Sequence, residues 1–129
     1  MADKIILLDT SIFIDHFRKS NKSNSKLVAL YDQGYDFCIS VVTEFEIYSG
    51  ASETQTVYWN ELLNDFNVLN FDSKAAKKAV IIYKKLKLLS KQIDTADLFI
   101  AAIAMSNNLP VATLNRKHFE RIDDLILID

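Results

Sequence analysis

The sequence predicts an α/β fold in which a parallel β-sheet carries helices on both faces. Short apolar runs alternate along the chain with longer segments of helical periodicity, as in sheets whose parallel strands are connected by helices. The first run, Ile5–Leu8, has four consecutive large apolar residues, which is typical of a strand buried on both faces. Only two glycines and one proline interrupt the chain, which favours long helices with short connections. We therefore expect a central sheet of four to five short strands.

Size and composition predict one compact domain over residues 1–129. A chain of this length buries a real core without disulfides or structural metals. Half of the residues are hydrophobic and a quarter are charged, and the formal charge of -2 argues against a globally basic nucleic-acid binder. Cys38, the single cysteine, lies in an apolar run, which predicts a buried free thiol and fits a reducing cytoplasm. No apolar stretch approaches the roughly 18 residues of a membrane span.

The first half of the chain predicts four helices and a second strand after the opening strand. The segment 18–25 is rich in serine and asparagine and is expected to be an exposed loop. Gly34 and Gly50 stand where helices are expected to stop. The predicted elements are helices over 11–17, 26–32, 41–50 and 53–64, and a strand over 35–40.

The second half predicts three more strands and two longer helices. Asp72 or Ser73 is expected to cap a helix that runs to residue 88. On one side of that helix the spacing places apolar residues, namely Ala75, Ala79, Ile82, Tyr83 and Leu86, and on the other side lysines. A helix over 95–106 is apolar nearly all round and should be central. The remaining strands are expected over 67–71, 109–112 and 125–128.

Three acids stand where strands end or apolar helices begin. Asp9 follows the first strand, and open α/β sheets bind ligands beyond the carboxyl ends of their strands. Asp97 begins the most apolar helix of the chain. Glu44 and Glu46 point about 200° apart on a helix, so only one faces the strand ends, and helical geometry favours Glu46.

Each acid also has a purely structural interpretation. Asp9 or Ser11 can cap the helix that follows the first strand. Asp97 in a first helical turn interacts favourably with the helix N-terminus. Both Glu44 and Glu46 can be solvated surface residues, which is the usual state of a helical carboxylate.

Further oxygen-bearing side chains follow the fourth predicted strand, at Thr113 and Asn115. Together with the acids they form a set of oxygen donors, which selects Mg²⁺ or Mn²⁺ over zinc. The sequence has no cysteine or histidine cluster that would indicate zinc, and His16 and His118 are expected at the surface or in loops. Asp94 is a possible auxiliary acid because it lies three residues before Asp97, although capping the helix is its simpler role.

Four motifs in order resemble the PIN-domain ribonucleases, and within them the VapC-type toxins of bacterial toxin–antitoxin pairs. Residues 6–11 are similar to the family's opening strand and first acid. Thr43 with Glu46, Ile47 and Gly50 resembles its Thr-x-x-Glu-aliphatic-x-x-Gly element, which selects Glu46 over Glu44. Residues 97–102 resemble its Asp-x-x-Ile-Ala-Ala helix start, and residues 111–119 its closing Thr-x-(Asp/Asn)-x-x-x-Phe element.

The resemblance implies a PIN-like three-layer α/β/α sandwich and an Mg²⁺- or Mn²⁺-dependent endoribonuclease. It implies that Asp9, Glu46 and Asp97 hold the metal and that Asn115 belongs to the catalytic set, where many members carry a fourth acid. An amide adds no negative charge, so the number of metal ions stays open. Thr10, Ser11 and Thr113 are expected to orient the acids, the water or the phosphate.

The resemblance also implies partners. Such toxins typically dimerise and are neutralised by a cognate antitoxin, so a homodimer or a toxin–antitoxin hetero-oligomer is expected. Tyr48, Tyr58 and Trp59 are candidate interface aromatics, with ordinary core packing as the alternative. A basic surface is expected to contact the RNA backbone, unless it is only a solvated helix face. Its residues are Lys74, Lys77, Lys78, Lys84, Lys85, Arg116, Lys117 and Arg121.

Two other functions stay open. The first is a catalytically inactive PIN-like module that binds RNA or protein, because Asn115 replaces an acid. The second is a receiver- or phosphatase-like domain that accepts a phosphoryl group on Asp9. A receiver would carry paired acids after its first strand, whereas Asp9 stands alone there, and Ser11 occupies the place of the second acid of a phosphatase Asp-x-Asp pattern.

Overall fold

A computed structural model describes residues 4–128, which form five strands and seven α-helices. The strands are β1 (Ile5–Leu8), β2 (Asp36–Ser40), β3 (Asn67–Leu69), β4 (Val111–Ala112) and β5 (Leu127–Ile128). The helices are α1 (Thr10–Arg18), α2 (Lys26–Asp32), α3 (Val41–Ser49), α4 (Glu53–Leu63), α5 (Ser73–Leu88), α6 (Thr95–Ser106) and α7 (Arg116–Phe119).

The strands form one parallel sheet in the order β3-β2-β1-β4-β5. The chain therefore builds outward from β1 in one direction through β2 and β3, and then places β4 and β5 on the other side. This reversal of strand order falls between β1 and β4, where ligand crevices of open α/β sheets lie. All five strands present their carboxyl ends at the same edge.

Two cores pack on opposite faces of the sheet, which confirms the predicted three layers. Along β1 the side chains alternate, with Ile6 and Leu8 on one face and Leu7 on the other. The Ile6 face packs with residues of α1, α2 and α4, among them Phe13, Leu30 and Trp59. The Leu7 face packs with buried residues of α5 and α6, namely Ala75, Ala79, Ile82, Leu86, Leu98, Ile100 and Ala101 to Ala104.

The predicted central helix is confirmed in α6. Its residues from Ile100 to Ala104 are all fully buried. Three of these five are alanines, whose small side chains let the helix lie close to the sheet and to α5. The helix therefore holds its first turn, with Asp97, in a fixed position at the carboxyl edge.

The structure differs from the sequence predictions mainly at short elements. The predicted strands over 35–40, 67–71, 109–112 and 125–128 are shortened to the residues that pair with a neighbouring strand. The predicted loop over 18–25 contains a 3₁₀ turn at Lys22–Asn24, where Asn21 accepts the Ser23 N–H. Helix α7 was not predicted because four residues are too few for helical periodicity to be recognisable.

Several side-chain predictions are also settled. Asp72 caps α5 by accepting the Ala75 N–H at 2.9 Å, as expected. Cys38 is buried, and burial raises the pKa of its thiol to about 11.

Tyr83 was wrongly assigned to the buried side of α5, since it is 46% exposed. Trp59 is buried and stacks on Phe17, so it belongs to the core. Within residues 4–128, no helix has the length and apolar character needed to cross a membrane.

Candidate active site

Asp9 is buried at the end of β1, with one carboxylate oxygen fully engaged. Its Oδ2 accepts hydrogen bonds from Ser11 Oγ and Thr113 Oγ1, each at 2.7 Å. The Ser11 N–H lies 3.4 Å from the same oxygen, so Asp9 also caps α1 weakly. The two hydroxyls come from opposite sides of the strand-order reversal, because Ser11 follows β1 and Thr113 follows β4.

A chain of hydrogen-bonded hydroxyl groups leads from the end of β2 to the Glu46 carboxylate. Thr10 Oγ1 donates to Glu46 Oε1 at 2.6 Å and lies 3.0 Å from Thr43 Oγ1. Because Thr10 has one hydroxyl proton and gives it to Glu46, Thr43 is the donor to Thr10. Ser40 Oγ in turn donates to Thr43 Oγ1 at 3.4 Å. Three hydroxyls therefore point their protons in sequence toward the Glu46 carboxylate.

Asp97 is partly buried in the first turn of α6. Its Oδ2 lies 2.8 Å from His118 Nδ1 and 3.4 Å from Asn115 Nδ2. Burial raises the pKa of Asp97 and the charge of Asp9 raises it further, while the hydrogen bond from His118 opposes both effects. The influence of Asp9 on this pKa means that the two carboxylates interact electrostatically across the site.

Each of the three carboxylates accepts hydrogen bonds from protein groups through only one of its two oxygens. The engaged oxygens are Asp9 Oδ2, Glu46 Oε1 and Asp97 Oδ2. Within the part of the chain that the structure describes, Asp9 Oδ1, Glu46 Oε2 and Asp97 Oδ1 accept no hydrogen bond from protein. Carboxylates that are fixed on one oxygen and open on the other suit a hard divalent cation, which prefers oxygen ligands.

Among the described residues, Asp94, Asp97 and His118 form a close group of potential metal ligands, to which the predicted ligands Asp9 and Glu46 do not belong. One ligand atom from each lies within 4.8 Å of the others. Asp94 is exposed and precedes α6, but its side chain makes no capping hydrogen bond. Asp94 therefore occupies the expected N-cap position without a side-chain cap, and its carboxylate lies beside Asp97 instead.

Asn115 directly precedes α7, and its side chain contacts Asp97. Its side chain makes no capping hydrogen bond, and its backbone N–H donates to Thr113 Oγ1 at 2.9 Å. Because the neighbouring atom is a carboxylate oxygen, the amide nitrogen faces Asp97. The fourth acid of the resemblance is thus replaced here by a hydrogen-bond donor.

The expectation that both histidines lie at the surface or in loops is wrong for His16, whereas His118 is partly exposed and lies in a short helix. His16 is buried in α1 and contacts Ser25 Oγ at 2.7 Å. His118 lies in α7 and contacts Asp97 directly. The i, i+3 spacing from Asn115 to His118 would have placed both side chains on one face, had a helix been predicted there. Ser40 and Thr43 were also missed as partners of the site.

The basic residues of the predicted RNA surface lie in two places. Lys74, Lys77 and Lys78 line a surface cavity with Met105 and Asn108, at the end of α6 opposite to Asp97. The other group is beside the site. Arg116 and Lys117 directly follow Asn115, and Arg116 forms an ion pair with Glu120. Lys84 is exposed, Lys85 pairs with Asp123, and Arg121 donates to the Gln92 carbonyl.

Comparisons with known proteins identify relatives over most of the chain. A family profile described as PIN domain matches residues 6–125. Ribonuclease VapC1 of Methanocaldococcus jannaschii is 36% identical over 120 residues, which cover 92% of this chain and 82% of that protein. The tRNA(fMet)-specific endonuclease VapC of Shigella flexneri is 31% identical over 124 residues and 92% of each chain.

The fold has a close counterpart among solved structures. The DNA-bound VapBC of Salmonella typhimurium matches with a TM-score of 0.86 and 25% identity, over 98% of this chain and 97% of that chain. Because the family profile covers residues 6–125 and the VapC relatives match over nearly the whole chain, the chain belongs to the PIN domain family and, within it, to the VapC-type proteins.

Proposed function

We propose that this protein is a metal-dependent endoribonuclease toxin that hydrolyses RNA phosphodiester bonds. One observation carries the proposal. Three acids gathered at the carboxyl edge each have one oxygen held by a protein donor and one oxygen open. The names of the VapC relatives, which describe a ribonuclease and a tRNA endonuclease, support RNA as the substrate class.

In this proposal Asp9, Glu46 and Asp97 bind Mg²⁺ or Mn²⁺ through their open oxygens, and Asp94 is an auxiliary acid. A bound divalent cation supplies charge stabilisation for the nonbridging phosphate oxygens and acidifies water. The protein's own contribution is orientation. Ser11 and Thr113 fix Asp9, while Thr10 fixes Glu46, so the acids do not have to reorganise when the cation arrives.

Asn115 is the proposed fourth member of the catalytic set. Its amide donates to Asp97 and adds no negative charge, which favours a site with fewer positive charges than a four-acid pocket would hold. The proposed roles of Asn115 and Thr113 are to position Asp97 and Asp9 rather than to move protons.

The RNA backbone is proposed to follow the basic residues through phosphate neutralisation, without base reading. Arg116 and Lys117 lie beside Asn115 and are the nearest in sequence to the site. The lysines of α5 would contact more distant nucleotides, because three of them lie at the opposite end of α6. The α5 residues are Lys74, Lys77, Lys78, Lys84 and Lys85.

A cognate antitoxin is the proposed protein partner, in a hetero-oligomer or with a homodimer of this chain. The Salmonella typhimurium structure contains VapBC. In this chain, large apolar side chains are exposed next to the proposed site: Phe45, beside Glu46, is 71% exposed, and Leu114, beside Asn115, is 50% exposed. A partner that covers the acids would bury both. The buried free thiol of Cys38 supports a cytoplasmic location, and residues 1–129 are proposed to act as one domain.

The decisive experiment is an RNA cleavage assay with purified protein and Mg²⁺ or Mn²⁺. Asp9→Asn, Glu46→Gln and Asp97→Asn each remove one proposed ligand charge, and we expect at least a 100-fold loss of cleavage, of the order seen when a catalytic electrostatic contact is lost. Glu120→Gln is the matched control, because it neutralises an exposed carboxylate that faces Arg116 and not the site. Cleavage by the three variants at the control rate would contradict the proposal.

The same variants separate the two alternatives. An inactive PIN-like binding module would bind RNA with unchanged affinity in all variants and cleave none of it in the parent protein. A receiver- or phosphatase-like domain would transfer radiolabel from a phosphodonor to Asp9, and Asp9→Asn would lose that label.

A further inference from the structure

We propose that His118 is a positioning residue of the metal site, which acts by donating its Nδ1 proton to Asp97. The inference rests on the proposed function, because it assumes that Asp97 is a metal ligand. It assigns a role to a residue that the closing motif, Thr-x-(Asp/Asn)-x-x-x-Phe, leaves unspecified. The role is to fix the orientation of the Asp97 carboxylate before the cation binds.

The contact between His118 and Asp97 determines which ring nitrogen carries the proton. Nδ1 lies 2.8 Å from Asp97 Oδ2, a distance typical of a charge-assisted hydrogen bond. Because the carboxylate is an acceptor, Nδ1 must be the donor. Asn115 Nδ2 lies 3.4 Å from Oδ2, so two N–H groups approach this oxygen, and the 3.0 Å between Nδ2 and Nδ1 is then a contact between two donors and not a hydrogen bond. The shorter of the two contacts, from His118, is the stronger.

The proposed role matches what the other two acids receive from different residues. Hydroxyl groups hold Asp9 and Glu46 by one oxygen each, from Ser11, Thr113 and Thr10. Asp97 has no hydroxyl partner among the described residues, and its Oδ2 is held by the imidazole instead. His118 therefore completes the pattern in which every proposed ligand has one held and one open oxygen.

The alternative role for His118 is that of a direct metal ligand, because its ring atoms lie close to Asp94 and Asp97. Nδ1 cannot bind a cation while it donates a proton to Asp97. A ligand role would therefore have to use Nε2. The two roles use opposite ends of the imidazole and can be separated by substitution.

The test compares His118→Asn, His118→Gln and His118→Phe, with Mn²⁺ as the probe. Asn places an N–H near the position of Nδ1, Gln reaches the position of Nε2, and Phe keeps the ring without a donor. Mn²⁺ affinity is measured by isothermal titration calorimetry. We expect about a 10- to 100-fold loss in His118→Phe and His118→Gln, and recovery of most of the affinity in His118→Asn.

A spectroscopic measurement on the parent protein supplies a second readout. Electron spin-echo spectra of bound Mn²⁺ detect a directly coordinated imidazole nitrogen, and we expect no such nitrogen. Far-UV circular dichroism confirms that the variants are folded, and Glu120→Gln is again the control with unchanged Mn²⁺ affinity.

Three outcomes would overturn the inference: parent-like affinity in His118→Phe, rescue by Gln rather than Asn, or a directly coordinated nitrogen. Failure of the proposed function looks different. In that case the parent protein itself does not bind Mn²⁺, or Asp97→Asn binds it as tightly as the parent does.

Discussion

The hydroxyl group of Thr113 hydrogen-bonds to both Asp9 and Asn115 of the candidate site. Thr113 Oγ1 donates to Asp9 Oδ2 at 2.7 Å and accepts the Asn115 N–H at 2.9 Å. It is buried, so neither bond can be replaced by bulk water. The position of Asp9 after β1 is therefore fixed by a residue that follows β4.

We predict that Thr113→Val lowers both Mn²⁺ affinity and stability. The buried Asp9 carboxylate loses one of its two hydroxyl donors, which should reduce Mn²⁺ affinity about 10- to 100-fold. An unsatisfied buried group also costs about 1–3 kcal/mol in the free energy of unfolding. Urea unfolding and calorimetric titration measure the two effects. Thr113→Ser retains the hydroxyl and serves as the control, and equal behaviour of Val and Ser would refute the role given to Thr113.

At the same scale, the sequence was informative about acids and uninformative about their partners. Asp9 and Asp97 could be recognised because a carboxylate at a strand end or in an apolar helix is visible in the chain. The contact between His118 and Asp97 joins residues of α7 and α6, and no periodic pattern in one segment encodes it. The hydroxyl chain from Ser40 through Thr43 is hidden for the same reason, because its members come from different elements.

At the scale of elements, α1 and α2 are joined by a buried histidine. His16 Nδ1 lies 2.7 Å from Ser25 Oγ, and Ser25 caps α2 by accepting the Val28 N–H. Because the Ser25 oxygen has two lone pairs, it can accept the Val28 N–H and still either donate to Nδ1 or accept from it. Burial lowers the pKa of His16, and the charge of Lys22 lowers it further, against the opposing effect of Asp15.

The lowered pKa of His16 predicts that the free energy of unfolding falls as the pH drops below about 6.5, the ordinary pKa of histidine. The unfolded chain takes up the proton near that pH, whereas folded His16 takes it up only at a lower pH, so stability increases with pH between the two values. Urea unfolding at pH 7.5 and 5.5 measures the loss. His16→Gln should remove this part of the pH dependence, and an unchanged difference between the two pH values in His16→Gln would contradict the assignment.

Long elements were predicted well and short ones were not. The apolar stripe of α5 and the apolar α6 extend over several turns, so their periodicity identifies them. The two-residue strands β4 and β5 exist only where a neighbour pairs with them. The ends of β4 depend on its register with β1, and those of β5 on its register with β4. Tyr83 was misassigned because helical spacing gives a direction and not the edge of the buried surface.

At the scale of the whole molecule, the basic residues are divided between two ends. Lys74, Lys77 and Lys78 lie at the carboxyl end of α6. Lys117 lies close in sequence to Asn115 of the candidate site, which is at the amino end of α6. A helix rises about 1.5 Å per residue, so the length of α6 separates the two groups. A long RNA can contact both groups, whereas a short oligonucleotide bound at the acids reaches only Lys117.

We therefore predict different effects for the two groups. The triple variant Lys74→Ala, Lys77→Ala, Lys78→Ala should flatten the salt dependence of binding to a long RNA, by about 0.7 in log–log slope for each lost phosphate contact. It should cleave a short oligonucleotide at the parent rate. Lys117→Ala should weaken binding of both RNAs. An unchanged slope for the triple variant removes α5 from the RNA-binding surface and leaves its lysines as a solvated helix face.

The strand order has a consequence for when the protein can first become active during its synthesis. β4 lies beside β1 in the sheet although more than a hundred positions separate Leu8 from Ala112 along the chain. A nascent chain that ends between residues 97 and 112 contains all three proposed acidic ligands but lacks Thr113, Asn115 and His118, which hold two of them. The order of translation thus delays completion of the site until β4 and α7 have been made.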